Sequence, residues 1–384
     1  MITKLYIIRH AEAEGNLYRR VHGHYDANIT ELGMRQIQAL SDRFAGLPVD
    51  AIYSSDLVRA HTTAGAISIP RGLPVQTTEQ LREVYMGRWE DTTWAALERE
   101  DAKQLKLFAA DLGSWDIGDN ESLEDLTARV LGVVTEIAKN HPGQTVCITT
   151  HANVIRALHA VLLGLPSNRL HELPYCDNTC VSLVEYADGE LTARRINDAS
   201  HLDPKISTFE RQSNQRNANP HDTGHLDFLS FDLDRDSARY LAYRQETWGE
   251  VHGTLAGFTD EYLTRAAEHA AAHPRALVEA FLGDTPIGIL ELDTERDAEA
   301  GEGFISLFYL DPAYRGRGLA AQFLGHATSV YRSLGRTKLT LHVAEANEAA
   351  IGFYERYGFQ KVGETEGVRG PLWVMEMDIT VRVR

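Results

Sequence analysis

Leu5-Tyr6-Ile7-Ile8-Arg9-His10 is the stretch from which the rest of the chain can be read. Four apolar residues followed at once by a cation and an imidazole read as a buried strand that ends at a polar opening. In an open α/β sheet, ligands gather outside the carboxyl ends of the strands, and Arg9-His10 falls there. Two further strands repeat the pattern. Ala51–Ser55 ends in Ser54-Ser55, and Thr145–Thr150 ends at His151. Helical segments separate them, so the alternation predicts a mostly parallel sheet with helices on both faces, an α/β/α arrangement in three layers. All of these ends then lie on one sheet edge, which brings His10, Arg59 and His151 together across the sequence.

The chain has 384 residues, 43 % of them apolar, and that length predicts two cores rather than one. A formal charge of −17 argues against a nucleic-acid partner and requires any anion site to be built from local cations. No apolar run approaches membrane-spanning length, and no basic-then-apolar leader pattern is read at Met1, so no membrane partner or secretory signal is expected. Cys147, Cys176 and Cys180 lack a metal spacing and read as reduced thiols in a cytoplasmic protein.

Around the strands, Gln36–Phe44 is amphipathic and Asp56 is placed to cap the helix that carries Arg59. Leu81–Val84 and Gly87–Glu90 read as loop. Helices are expected near 93–111 and 122–139, the second opening on a Ser122 capping signal. The helix after His151 should stop at Gly164, with Pro166 beyond. Val181–Tyr186 and Leu191–Ile196 form a hairpin around Asp188-Gly189. Residues 206–225, rich in Asn, Gln and Ser, read as a solvated linker between domains at 1–205 and 226–384. Beyond it, helices are expected at Ser237–Thr247, Asp260–His273, Ala320–Leu334 and Glu348–Tyr357. Strands are expected at Ala276–Phe281, Ile287–Leu292, Phe304–Leu310, Leu339–Val343 and Trp373–Ile379.

Two histidines and two arginines around one crevice suit a tetrahedral oxyanion, because the planar guanidinium binds phosphate bidentately. A neutral imidazole can attack phosphorus and carry the phosphoryl group. The second histidine can donate to a non-bridging oxygen. Glu83 fits the general acid that an alkoxide leaving group needs. Arginines that neutralise the transferring group make a metal unnecessary. His22, His24 and His61 read as ordinary polar residues, Glu12 and Glu14 as loop carboxylates, and Trp89 as packing under the loop.

Arg9-His10-Ala11-Glu12 with Asn16, Ser54-Ser55-Asp56-Leu57-Val58-Arg59-Ala60, Glu83 with Gly87 and Trp89-Glu90, and His151-Ala152 with Ile155-Arg156 resemble the histidine phosphatase, or phosphoglycerate-mutase-like, superfamily. Asp26, Thr30, Gly33 and Gln36 match its early helix entry, and Asn197-Asp198 with Ser200-His201-Leu202 its closing segment. The likeness spans roughly residues 1–203. It implies His10 as phospho-acceptor, Arg9, Asn16, Arg59 and His151 as the phosphate pocket, Glu83 as proton donor, and a small phosphorylated metabolite as substrate. Ala11 and Ala152 depart from the glycines frequent after the two histidines. The compact stretch between Glu83 and His151 favours phosphatase over mutase.

Arg315-Gly316-Arg317-Gly318-Leu319-Ala320 lies between a strand and a helix, where glycines let backbone amides face an anion. With Leu310-Asp311-Pro312 before it, and Asn347-Glu348-Ala349-Ala350, Phe353-Tyr354 and Tyr357-Gly358-Phe359 after it, residues 226–380 resemble the GNAT acyltransferase superfamily. That likeness implies an α+β domain with a mixed, mostly antiparallel sheet. It also implies acetyl-coenzyme A held by Leu310, Arg315, Gly316, Arg317, Gly318, Leu319, Ala320 and Asn347, with Tyr354 protonating the departing thiolate. The acceptor, an amine by this likeness, is not readable. Glu291 and Glu302 are candidate bases, although surface carboxylates are the commoner explanation. The combined expectation is a bifunctional enzyme. The alternative is a phosphatase or mutase whose second domain senses acetyl-coenzyme A or mediates a homodimer.

Overall fold

The computed structural model describes residues 1–212, 224–367 and 370–383. Two units are distinguished, Met1–His221 with Val381–Arg384 and Asp222–Thr380.

The first unit runs β1 (Thr3–Arg9), α1 (Glu14–Tyr18), α2 (Glu31–Phe44), β2 (Ala51–Ser55), α3 (Val58–Arg71), β3 (Val75–Thr78), α4 (Trp94–Glu100), α5 (Ala102–Ala110), α6 (Leu123–Asn140), β4 (Thr145–Thr150), α7 (Ala152–Leu163), β5 (Val181–Ala187) and β6 (Glu190–Asp198). Its sheet has the order β3-β2-β4-β1-β5-β6. The pairs among β1 to β4 are parallel, and β5 and β6 add an antiparallel hairpin. Alternation along β1 sorts the core. Leu5 and Ile7 pack with Leu126, Val130 and Val134 of α6 and Leu158 of α7, whereas Ile8 packs with Leu40 and Phe44 of α2 and Ile67 of α3. Helices on both faces of a parallel sheet are the expected consequence of strands buried on both sides. The register sets Arg9 beside Thr150 and Ser54 beside Thr149, so the strand ends line up on one edge.

Some local expectations change. Asp56 does not cap α3. It pairs with Arg82, while the carboxylate of Asp26 accepts the Val58 N–H at 2.9 and 3.1 Å. The helix expected across 93–111 breaks at Asp101, whose backbone leaves the helical region and whose Oδ2 accepts the Trp89 indole N–H at 3.0 Å. Trp89 itself is buried against Phe108 and Trp115, as a packing residue. Ser122 caps α6 through the Asp125 N–H, and Gly164 ends α7 at φ 64°.

The segment expected as linker is not solvated at its start. Ile206, Ser207 and Thr208 are buried. Gln36 Nε2 donates to Ile206 O and Thr208 Oγ1, and Ser207 Oγ donates to Asp177 Oδ2. These residues therefore close the first unit, although their polar composition gives no apolar pattern to find. The stretch 213–223 of the expected linker lies outside the described residues.

The second unit runs β7 (Leu226–Ser230), α8 (Leu233–His252), α9 (Glu261–Ala272), β8 (Leu277–Leu282), β9 (Thr285–Asp293), β10 (Glu302–Leu310), α10 (Ala320–Ser333), β11 (Lys338–Ala344), α11 (Glu348–Arg356), β12 (Gln360–Gly367) and β13 (Gly370–Asp378). The sheet order is β12-β13-β11-β10-β9-β8-β7, and only β10 and β11 pair in parallel among these neighbours. A bulge falls between Ile305 and Leu307 of β10. The parallel pairing of β10 with β11 covers only 302–305 against 338–341, although both strands continue beyond it. Side chains beneath the sheet, including Tyr240, Ile289 and Leu307, form its core with α8 and α9.

Candidate active site

His10 and His151 meet at the shared strand edge, with ring centroids 5.2 Å apart. His10 is buried, and its Nδ1 lies 2.7 Å from Ala11 O. A carbonyl only accepts, so Nδ1 carries the proton and Nε2 keeps its lone pair. Burial, then Arg59 and Arg9, holds the His10 imidazole well below its usual pKa, and therefore neutral. His151, the residue before α7, is held low by burial, then by Arg59 and His10.

The two arginines are anchored from behind. Arg59 is fully buried, and its Nη1 and Nη2 donate to Tyr25 O at 3.1 Å and Gly23 O at 2.6 Å. Arg9 Nη1 donates to Cys176 O. Arg9 Nε, Arg59 Nε and both ring nitrogens of His151 are buried without a hydrogen-bond partner among the described residues. An unmet buried donor costs about 1–3 kcal/mol, and an oxyanion could accept from the two guanidinium Nε–H groups and from the one protonated nitrogen of the neutral His151 ring. Asn16 lies on α1, where its Oδ1 accepts the Ala13 N–H at 3.1 Å.

Glu83 is buried beside the start of α7. Its Oε1 accepts from the N–H groups of Val84 and Asn153 at 2.9 and 3.2 Å, and its Oε2 from Asn153 N–H at 3.3 Å. Arg129 holds the acid loop through the carbonyls of Gln80 and Arg82 while paired with Glu121.

Several residues that border the site carry no pattern in the sequence. His22 accepts the Gly15 N–H at 2.7 Å and lies 6.3 Å from His10 between ring centroids. His24 bonds Glu83 O at 2.9 Å. Both are more than the ordinary polar residues expected. The turn at Cys176–Cys180 wraps the Arg9-His10 backbone: Asn178 Nδ2 donates to His10 O at 2.9 Å, and Arg9 N–H donates to Cys180 O at 3.2 Å. Glu12 is a loop carboxylate, as expected, and a buried one that accepts from Thr30 and Thr208.

In the second unit, Gly316 and Gly318 adopt φ of 76° and 77°, which only glycine takes at little cost. Leu319 precedes α10 and no side chain caps that helix, an arrangement in which the first amides of a helix can take an anion. The expected cations are engaged elsewhere. Arg315 Nε donates to Leu310 O and its Nη1 pairs with Glu250 at 2.8 Å, and Arg317 lies over the Tyr314 ring. Asn347 Oδ1 caps α11 through the Ala350 N–H. Tyr354 packs with Phe308, Phe353 and Phe359, and burial pushes its hydroxyl pKa up. Glu291 is not a surface carboxylate. It is fully buried and held by Tyr240, Arg244, His269 and Ser306, which leaves it no role as a free base. Glu302 opens β10.

Comparison with known proteins matches residues 5–199 to the histidine phosphatase superfamily (branch 1) and residues 237–359 to the acetyltransferase (GNAT) family. Phosphoserine phosphatase 1 of Hydrogenobacter thermophilus is 27 % identical over 201 residues, covering 52 % of this chain and 95 % of that protein. Phosphoglycerate mutase-like protein 4 of Arabidopsis thaliana is 30 % identical over 205 residues, covering 52 % and 87 %. The solved structure of Bacillus stearothermophilus YhfR superposes with a TM-score of 0.51 at 31 % identity, over 52 % of this chain and all of that one.

Proposed function

Because the chain belongs to the histidine phosphatase superfamily (branch 1), we propose that its first unit hydrolyses phosphomonoesters through a phosphohistidine on His10. The observation that carries this reading is the buried, neutral His10 imidazole, whose Nδ1–H is spent on Ala11 O so that Nε2 is free to attack. Nε2 forms the bond to phosphorus as the ester P–O bond breaks, and the departing alkoxide takes a proton from Glu83. Arg9, Arg59, Asn16 and His151 hold the non-bridging oxygens and neutralise charge that grows in the transition state. Water then gives a proton to Glu83 and displaces His10 from phosphorus. The relatives' names include both a phosphatase and a mutase-like protein, and the short stretch between Glu83 and His151 favours hydrolysis.

The second unit we read as an acetyltransferase that uses acetyl-coenzyme A. Its residues fit that group. The strands β10 and β11 stop pairing after 305 and 341, and an uncapped helix start follows a loop with two glycines at positive φ. Backbone amides of Gly316, Gly318 and Ala320 would hold the pyrophosphate. Bound acetyl-coenzyme A supplies the thioester from which the acetyl group is transferred. Tyr354, protonated in its apolar setting, would hold a proton at its hydroxyl for the thiolate.

Hydrolysis of p-nitrophenyl phosphate by the full chain, with and without a chelator, tests the first reading. Turnover that survives the chelator is expected, since the two arginines supply the positive charge. Turnover lost to the chelator and restored by one divalent metal would contradict it.

A further inference from the structure

Cys176 and Cys180 bracket the turn that leads into β5, and their Sγ atoms lie 3.4 Å apart. Both are free thiols. Cys176 keeps 6 % of its surface exposed and Cys180 none. The turn is tied to the strand that ends at the phosphate pocket. Cys176 O accepts from Arg9 Nη1, and Cys180 O accepts the Arg9 N–H at 3.2 Å. Between them, Asn178 Nδ2 donates to His10 O at 2.9 Å, and the Thr179 N–H donates to Arg9 O at 3.2 Å. Thr179 sits at φ 58°, a left-handed value unfavourable for a β-branched side chain. These bonds therefore hold the turn against its own backbone preference.

The two thiols are not equivalent. The contact with Cys180, followed by the Arg9 guanidinium, holds the Cys176 thiol below its ordinary pKa against the opposing effect of burial, whereas burial pushes Cys180 well up. A thiolate beside a guanidinium is the reactive form of cysteine. Cys147 is the internal contrast. It lies among Ile8 and Ile52 in the apolar core, and burial pushes its thiol up to about 12.

We propose that Cys176 and Cys180 form a redox modification site, at which hydrogen peroxide joins them in a disulfide that displaces the carbonyl anchors of Arg9 and lowers turnover, and a dithiol restores it. The effect on turnover rests on the phosphatase reading above. The Cys176 thiolate forms a bond to one peroxide oxygen as the O–O bond breaks, which leaves a sulfenic acid and a hydroxide that takes up a proton as water. Cys180 Sγ then bonds to Cys176 Sγ as the S–O bond breaks, and the departing hydroxide leaves with the Cys180 proton as a second water. The two sulfurs together give up two electrons, and the peroxide takes both. A bond needs the sulfurs closer than a contact, so the turn must tighten. The carbonyls of Cys176 and Cys180 move with it, and both hold Arg9.

The test treats the full chain, first reduced with dithiothreitol and freed of it, with hydrogen peroxide. Trypsin releases both cysteines in one peptide, 170–194. That peptide should resist alkylation and be lighter by two hydrogens, and dithiothreitol should reverse both changes, while Cys147 still alkylates after denaturation. A small displacement of a catalytic group is costly, so kcat/KM for p-nitrophenyl phosphate should fall by about tenfold or more and return with the dithiol. Affinity for inorganic phosphate, read by calorimetry, should fall and return in the same steps without any need for turnover. In Cys176→Ser the ratio of oxidised to reduced kcat/KM should stay close to one, and Cys176→Ala gives the same reading if the serine variant does not fold. The ratio is taken within each variant, so a change in its reduced activity does not enter. Alkylation of both cysteines after peroxide treatment overturns the proposal. So does a disulfide that leaves kcat/KM and phosphate affinity unchanged, or a Cys176→Ser protein that loses turnover to peroxide as the wild type does. A reduced wild type that turns over no phosphomonoester sinks the phosphatase reading beneath it, and phosphate affinity then decides the redox site by itself.

Discussion

The phosphate pocket proposed for the first unit is made of side chains, and the anion site proposed at the glycine loop of the second is made of backbone. In the first, Arg9, Arg59 and His10 are each fixed by a carbonyl, of Cys176, Gly23 and Ala11 respectively. Their chemistry depends on residue identity. In the second, the arginines that the loop displays in sequence are turned to other partners: Arg315 to Glu250 and Leu310 O, and Arg317 over Tyr314. On the reading proposed above, what remains for an anion is a set of N–H groups, placed by the two glycines and the uncapped start of α10. A side-chain site fails when an identity changes, whereas a backbone site fails when a conformation changes.

The largest expected effect breaks the first site at its acid. Glu83→Gln should slow alkyl phosphates by about 10²–10⁴-fold and p-nitrophenyl phosphate far less, because that leaving group needs little protonation. Steady-state kcat on both substrates checks this. Equal losses would make Glu83 a structural carboxylate that only ties the acid loop to α7.

A smaller effect sharpens the contrast in the second site. Gly318→Glu places a side chain at φ 77°, a backbone region that costs other residues roughly 1–2 kcal/mol, and adds a negative charge where a pyrophosphate would lie. Calorimetric titration of the full chain should show acetyl-coenzyme A affinity lower by about tenfold or more. Arg315→Ala should change it by less than about threefold, in the range of an exposed ion pair, because that guanidinium is spent on Glu250 and Leu310 O. The reverse order of effects would return the pyrophosphate to the arginine side chains.

The same contrast explains what the sequence could and could not disclose. The strands ending at Arg9, Ser55 and Thr150 were legible because apolar runs stop abruptly at polar residues, and parallel order then fixed which ends meet. Where a side chain spends its hydrogen bonds was not legible. Asp56 looks like a cap but pairs with Arg82, and the cap of α3 comes from Asp26, 32 positions earlier than Val58. His22, His24 and the Cys176–Cys180 turn reach the site through loops that have no periodicity. The strand β12, Gln360–Gly367, escaped because its residues are mostly exposed and polar, as an edge strand allows. The start of the expected linker escaped for the opposite reason: Ser207 and Thr208 are polar yet buried, satisfied by Asp177 and Gln36.

The central claim is that His10 Nε2 becomes phosphorylated. The direct measurement is a rapid quench of the full chain with ³²P-labelled phosphomonoester, followed by stability of the label on the protein in acid and in base. The wild type should carry phosphate that is lost in acid and kept in base, and His10→Ala should carry none. Label of the same kind on His10→Ala would contradict the assignment.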